Sequence, residues 1–282
     1  MRARPSGPYD EVAQASAAVV IECYSTSFGW ATRLLAEPVR THVRCIYALV
    51  RVADELVDDV DLAWDRGRRA ALLDALEEDT RRALRIGGSP NLVVHAFART
   101  AVEHGIGWDL VGPFFDSMRA DLDVAAHDPD SFATYVYGSA EVVGLMCLRV
   151  FVGGDQARYE QLAPGARALG AAFQKVNFLR DMADDHGERG RDYFPGVDPG
   201  RFDDARRDVL LDDIDADLAA AAAVIPELPP SSRRAVRAAH DLFAALSERL
   251  RRTPAAEIAT RRVRVPDPVK AVVLARCLVG RR

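Results

Sequence analysis

The stretch that most restricts this chain is residues 174–195, which begin Gln174-Lys175-Val176-Asn177-Phe178-Leu179-Arg180-Asp181 and end Gly190-Arg191-Asp192-Tyr193-Phe194-Pro195. It follows an Ala-rich apolar run, residues 169–173, so it is expected to be a buried helix that turns polar. Asn177, Asp181 and Asp185 fall at i, i+4 and i+8 and share one helix face, which Gln174 joins. Carboxylates turned toward a core carry a large desolvation cost unless positive charge sits with them. Donors that are all oxygen, with no Cys or His, suggest a hard cation, Mg²⁺ before Zn²⁺. The competing account is a solvated acidic helix end, with Arg180, Arg189 and Arg191 as surface partners.

A second copy of the spacing favours the metal. Asp54 and Asp58 also stand at i and i+4, after a mixed apolar helical segment. Arg51 lies one turn before Asp54, and Tyr47 lies one turn before Arg51 on the same side. Two such helices facing each other across a bundle can hold several Mg²⁺ ions, and the ions can hold a diphosphate.

Asp54-x-x-x-Asp58 preceded by Arg51, with Asn177-x-Leu179-Arg180-Asp181-x-x-x-Asp185 and Gly190-Arg191-x-Tyr193-x-Pro195, resembles the squalene/phytoene synthase family, in its bacterial phytoene synthase-like form. The resemblance extends over about residues 24–278. It implies an all-α, single-domain helical bundle around a central cavity, the isoprenoid synthase fold. Residues 1–8 would be a loose tail and 9–282 the catalytic domain. The metal ligands would be Asp54, Asp58, Asn177, Asp181 and Asp185, with Arg51 joining the aspartates in catalysis. In the family, a Ser-x-Ser-Phe segment at the place of Ser25, Ser27 and Phe28 contacts the substrate diphosphate; helix capping is the plainer role for these serines. Tyr47, Gln174 and Arg180 would add substrate contacts. Arg191 and Tyr193 would close over the metal site from a Gly-bearing lid. Family position makes Arg262 a diphosphate contact, against a default of surface charge. The chain departs from the family at Glu141, where a small residue is more usual, and at Phe243, where a tyrosine is common.

The rest of the sequence suits a large helical enzyme. Helices are expected over 9–23, 30–36, 41–59, 62–85, 92–104, 108–122, 132–151, 204–224, 233–251, 253–262 and 268–278. Gly138 and Gly144 within the apolar run 132–151 fit either a passage for a bulky chain or close helix packing. A net charge of −5 argues against a nucleic-acid partner. Cys23, Cys45, Cys147 and Cys277 are scattered and read as ordinary buried thiols. His95 and His104 have no acidic or cysteine partner at ligand spacing and read as structural. The N-terminus lacks a secretory pattern, and no run approaches the ~18 apolar residues of a membrane span. A cytoplasmic protein is expected, with room for peripheral membrane contact because the product is oily.

The expected reaction is head-to-head condensation of two geranylgeranyl diphosphates to phytoene through prephytoene diphosphate. Mg²⁺ would assist, with Mn²⁺ as a substitute. NADPH is not expected, because phytoene forms by proton loss without hydride. The alternatives are a C30 synthase acting on farnesyl diphosphate to give squalene, presqualene diphosphate or dehydrosqualene, a terpene cyclase, and a non-catalytic isoprenoid-binding member of the family. Isoprenoid diphosphates are the expected partners. The sequence sets no oligomeric state.

Overall fold

The computed structural model describes residues 7–24, 27–58 and 64–264, with the backbone alone for Ser27, Phe28, Glu188 and Arg189. The helices in chain order are α1 (Pro8–Tyr24), α2 (Ser27–Thr32), α3 (Val39–Asp58), α4 (Arg66–Ile86), α5 (Leu92–His104) and α6 (Trp108–Asp123). There follow α7 (Pro129–Val136), α8 (Val142–Val152), α9 (Gln156–Asp184), α10 (Asp204–Val224), α11 (Pro230–Arg252) and α12 (Ala255–Ile258). No strand occurs among the described residues; one isolated bridge joins Ala126 to Asp192.

Short polar side chains start many of these helices. Asp65, Asn91, Asp155 and Asp203 accept from free backbone N–H groups at the starts of α4, α5, α9 and α10. Asp128 and Ser131 close a reciprocal capping box on α7. Gly87 and Gly105 stop α4 and α5 in the left-handed region, with φ of 79° and 68°.

Apolar faces then assemble two clusters. One gathers α3, α4, α5, α6 and α8 around Ile46, Leu49, Phe97, Phe114, Phe115 and Met146. The other gathers α7, α9, α10 and α11 around Val176, Leu179, Leu211, Ile214 and Leu250. Helix α9 belongs to both: Tyr159 and Leu162 lie in the first, Ala171 to Met182 in the second. The second Asp motif therefore sits on the end of a helix fixed along its whole length.

The structure corrects several expectations. Helix α2 stops at Thr32, short of residue 36. Helix α9 begins at Gln156 and carries Pro164 in its interior. The long helix of 132–151 is split by a π-turn, Tyr137–Glu141, between α7 and α8. The expected helix 253–262 shrinks to Ala255–Ile258, and 268–278 lies outside the described residues. Cys45 is buried, Cys147 is half-buried and Cys23 is exposed; Cys277 is outside the described residues. The stretch Pro129–Val152 is long and apolar enough to cross a membrane, yet 56% of its apolar window is buried inside the molecule.

Gly138 and Gly144 serve close packing. A Cβ on Gly138 would collide with the Pro113 carbonyl and the Ser117 hydroxyl of α6. One on Gly144 would lie 2.5 Å from the Ala166 carbonyl of α9. Glu141 bonds Arg167 at 2.6 Å, so the unusual carboxylate is paired on the outside of the α8–α9 contact. Phe243 stacks on Phe173 with centroids 3.8 Å apart.

Candidate active site

The last two turns of α3 turn Asp54 and Asp58 out of the core while Ala53 and Val57 stay in it. Arg51 donates to Asp54 at 2.7 Å and also bonds Glu55. Its guanidinium lies over the Tyr24 ring, 4.7 Å from the centroid. Burial works against the Arg51 charge, but Asp54 and Glu55 outweigh it and hold the group above its ordinary value.

The end of α9 supplies the second set. Asn177 Oδ1 is buried without a hydrogen-bond partner. Arg180 donates to the two oxygens of Asp181 through Nε and Nη2, at 2.7 and 2.5 Å. Arg262 reaches the same carboxylate at 2.9 Å, from beyond α12. Asp185, one turn further on, is buried. Gln174 is half-buried, one turn before Asn177.

Arg191 ties the two sets together. Its backbone N–H donates to the Asp185 carbonyl at 3.0 Å. Its side chain donates to Asp58 at 2.5 Å and to the Val57 carbonyl at 3.2 Å. Beneath it lies Asp121 of α6, whose carboxylate is 3.5 Å from the same guanidinium. Tyr135 donates to both Asp121 oxygens at 2.8 Å, and Tyr193 donates to one at 3.1 Å. Burial pushes the Asp121 carboxyl up to about 7, with Arg191 pulling it down and Asp58 adding to the rise. Burial first, then the Asp121 charge, raises both tyrosines, so they act as neutral donors. Tyr193 stacks on Phe178 at 3.9 Å. A crevice of about 10 Å³ between Phe178, Met182, Asp185, Arg191 and Tyr193 has room for one water.

The structure thus pairs Arg51 with Asp54, links Asp58 through Arg191 to the turn after Asp185, and gives Asp181 to Arg180 and Arg262. Tyr47 is half-buried on α3, two turns before Asp54. Ser25 lies outside the described residues, as do the side chains of Ser27 and Phe28 in α2. The segment expected as a lid is packed down: Tyr193 and Phe194 are buried in the second cluster, and Asp192 donates from its backbone to Ala125. Asp121, Tyr135 and Glu55 are residues to which sequence reasoning assigned no role in the site. The signal for Asp121 was a carboxylate in register with Phe114 and Met118 on the buried face of α6.

The donor set fits a hard cation. Four carboxylates and one amide carbonyl oxygen supply only oxygen ligands, and Asn177 Oδ1 is a buried acceptor without a donor. The arginines now neutralise three of these carboxylates.

The chain is similar to known proteins in sequence and in fold. The squalene/phytoene synthase family profile matches residues 21–268. A 15-cis-phytoene synthase of Paracoccus sp. is 30% identical over 256 residues, 81% of this chain and 79% of that protein. A 4,4'-diapophytoene synthase of Staphylococcus haemolyticus is 28% identical, over 68% of this chain and 67% of that protein. A 15-cis-phytoene synthase of Pantoea ananas is 32% identical, but the match spans only 61% of this chain and 56% of that protein. A crystal structure of a dehydrosqualene synthase with ligand superposes with a TM-score of 0.80 at 20% identity, over 95% of this chain and 96% of that one. The squalene synthase of Alicyclobacillus acidocaldarius gives 0.75 at 20% identity, over 88% and 96%. These two likenesses show the isoprenoid synthase fold.

Proposed function

We propose, from the premise that the chain belongs to the squalene/phytoene synthase family, that it condenses two geranylgeranyl diphosphates head to head to give phytoene. The observation that carries this reading is Arg191, whose side chain donates to Asp58 of the first aspartate set and whose backbone N–H donates to the carbonyl of Asp185 in the second.

Asp54, Asp58, Asn177, Asp181 and Asp185 are the residues that would hold Mg²⁺, or Mn²⁺ in its place. Bound there, the ions supply positive charge that stabilises the diphosphate as the allylic C–O bond breaks. Arg51, Arg180, Arg191 and Arg262 now face these carboxylates and stand where diphosphate oxygens would arrive. The C–O bonding pair leaves with the diphosphate, and the double bond of the second substrate attacks the allyl cation. Loss of a proton closes the cyclopropane of prephytoene diphosphate. A second ionisation, ring opening and proton loss give the C40 hydrocarbon with its central conjugated triene. No hydride enters, so no NADPH is required. Phe178, Tyr193 and the Phe173–Phe243 stack offer aromatic surface that excludes water near cations. The oily product would leave by peripheral contact with a membrane.

The similarity to a diapophytoene synthase supports a second reading, the same chemistry on farnesyl diphosphate. Incubation of the protein and Mg²⁺ with each diphosphate, with and without NADPH, followed by hydrocarbon extraction, separates them. Phytoene from geranylgeranyl diphosphate in both tubes is expected. A C30 hydrocarbon from farnesyl diphosphate alone would move the chain to the C30 branch.

A further inference from the structure

Away from the aspartates, His42 of α3 meets Glu103 and His104, the last two residues of α5. His42 precedes Asp54 by three turns of the same helix, roughly 18 Å along its axis. One ring nitrogen from each histidine and one Glu103 oxygen all lie within 4.8 Å of one another. The two imidazoles meet edge to face with centroids 4.4 Å apart. His42 Nδ1 faces the Thr100 hydroxyl at 3.0 Å, which leaves Nε2 for Glu103. That second distance is 3.7 Å, too long for a hydrogen bond. His104 Nε2 is buried and has no hydrogen-bond partner. Buried polar atoms in native folds nearly always have one. Thus two ring nitrogens and a carboxylate converge, and their own hydrogen bonds do not satisfy them.

We propose that His42, Glu103 and His104 form a second metal site, for a transition cation of the Zn²⁺ type, which pins the end of α5 to α3. The donor set differs in kind from the oxygen-only set at the aspartates. Imidazole favours Zn²⁺, Co²⁺ or Ni²⁺, whereas carboxylates and carbonyls favour Mg²⁺. Three protein ligands leave a fourth position for water. Bonds of about 2.0–2.2 Å hold tetrahedral ligands roughly 3.5 Å apart, so the trio must draw in by about an ångström. Glu103, with its side chain 49% exposed, is free to make that movement. Thr100 would fix the His42 ring from behind, as outer partners of metal-bound histidines commonly do.

The test uses metal-stripped full-length protein titrated with Co²⁺ and followed by visible absorption, then melted with and without Zn²⁺. A D58N/D181N double variant is run beside the wild type to weaken the oxygen-rich site. Both proteins are expected to bind one Co²⁺ with an intense tetrahedral band. Both should melt about 5 °C higher in Zn²⁺ at a hundredfold excess over Kd. Glu103→Gln, at an exposed position that leaves the metal-free fold intact, and His104→Asn should each weaken binding at least tenfold and lose the melting shift. No tetrahedral band in the wild type, or equal binding by the wild type and Glu103→Gln, overturns the site.

Discussion

Asp121 is the residue on which the local electrostatics turn. It is 8% exposed, and its carboxyl lies at about 7 in the fold against an ordinary value near 4. An acid raised by folding binds more protons in the native state than in the unfolded one. Its contribution is therefore fully present below about 4 and is lost as pH rises through about 7. Across that window each pH unit should remove ~1.4 kcal/mol from the metal-free wild type through this group. In Asp121→Asn that slope should vanish, so the variant gains on the wild type between pH 5 and 7; chemical denaturation at each pH measures it. Parallel stability profiles would show Asp121 to be ionised throughout. Arg191 is the counterpart. With its side chain only 10% exposed and Asp58 and Asp121 both against it, Arg191→Ala leaves buried negative charge uncompensated. A loss of about 3 kcal/mol or more is expected, read as a fall in the denaturation midpoint. The aspartate spacing was visible in the sequence because helix period turns it into a shared face. The ion pairs Arg191–Asp58 and Arg262–Asp181 were not, because they join residues from different segments of the chain.

Helix packing shows the same division. Helices α5 and α10 could be read to the residue, because Asn91 and Asp203 cap their starts and Gly105 stops α5. The first half of α9 was hidden by Pro164 and Gly165, which signal a break. Tertiary packing overrides them: Gly165 lies against Val224 of α10, where a Cβ would not fit. The π-turn at Tyr137–Glu141 has no periodic signature at all. Gly144 tests whether the α8–α9 contact is as close as it looks. Gly144→Ala puts a methyl 2.5 Å from the Ala166 carbonyl and should cost about 1–3 kcal/mol, or several degrees of melting temperature. Gly67→Ala, in the first turn of α4 with its nearest neighbour at an ordinary 3.4 Å, should instead leave stability unchanged or raise it by up to ~1 kcal/mol. A neutral Gly144→Ala would mean that the two helices have slack.

The two aspartate helices come from opposite halves of the sequence, and Arg191 links the end of one to the turn after the other, in a two-cluster bundle whose helix α9 spans both clusters. The all-α class was legible from helical periodicity, while the specific fold rested on motif resemblance, because periodicity alone describes any large bundle. On the proposed function the two aspartate sets act as one site, so neither should work without the other. The most direct test is Mg²⁺-dependent release of diphosphate from geranylgeranyl and farnesyl diphosphates by the wild type, Asp58→Asn and Asp181→Asn, each checked for a folded helical spectrum. The wild type should release diphosphate from at least one substrate. Each folded variant should be slower on it by at least ~10²-fold, the scale for losing a group that stabilises transition-state charge. Wild-type rates in either variant would contradict a single two-helix site.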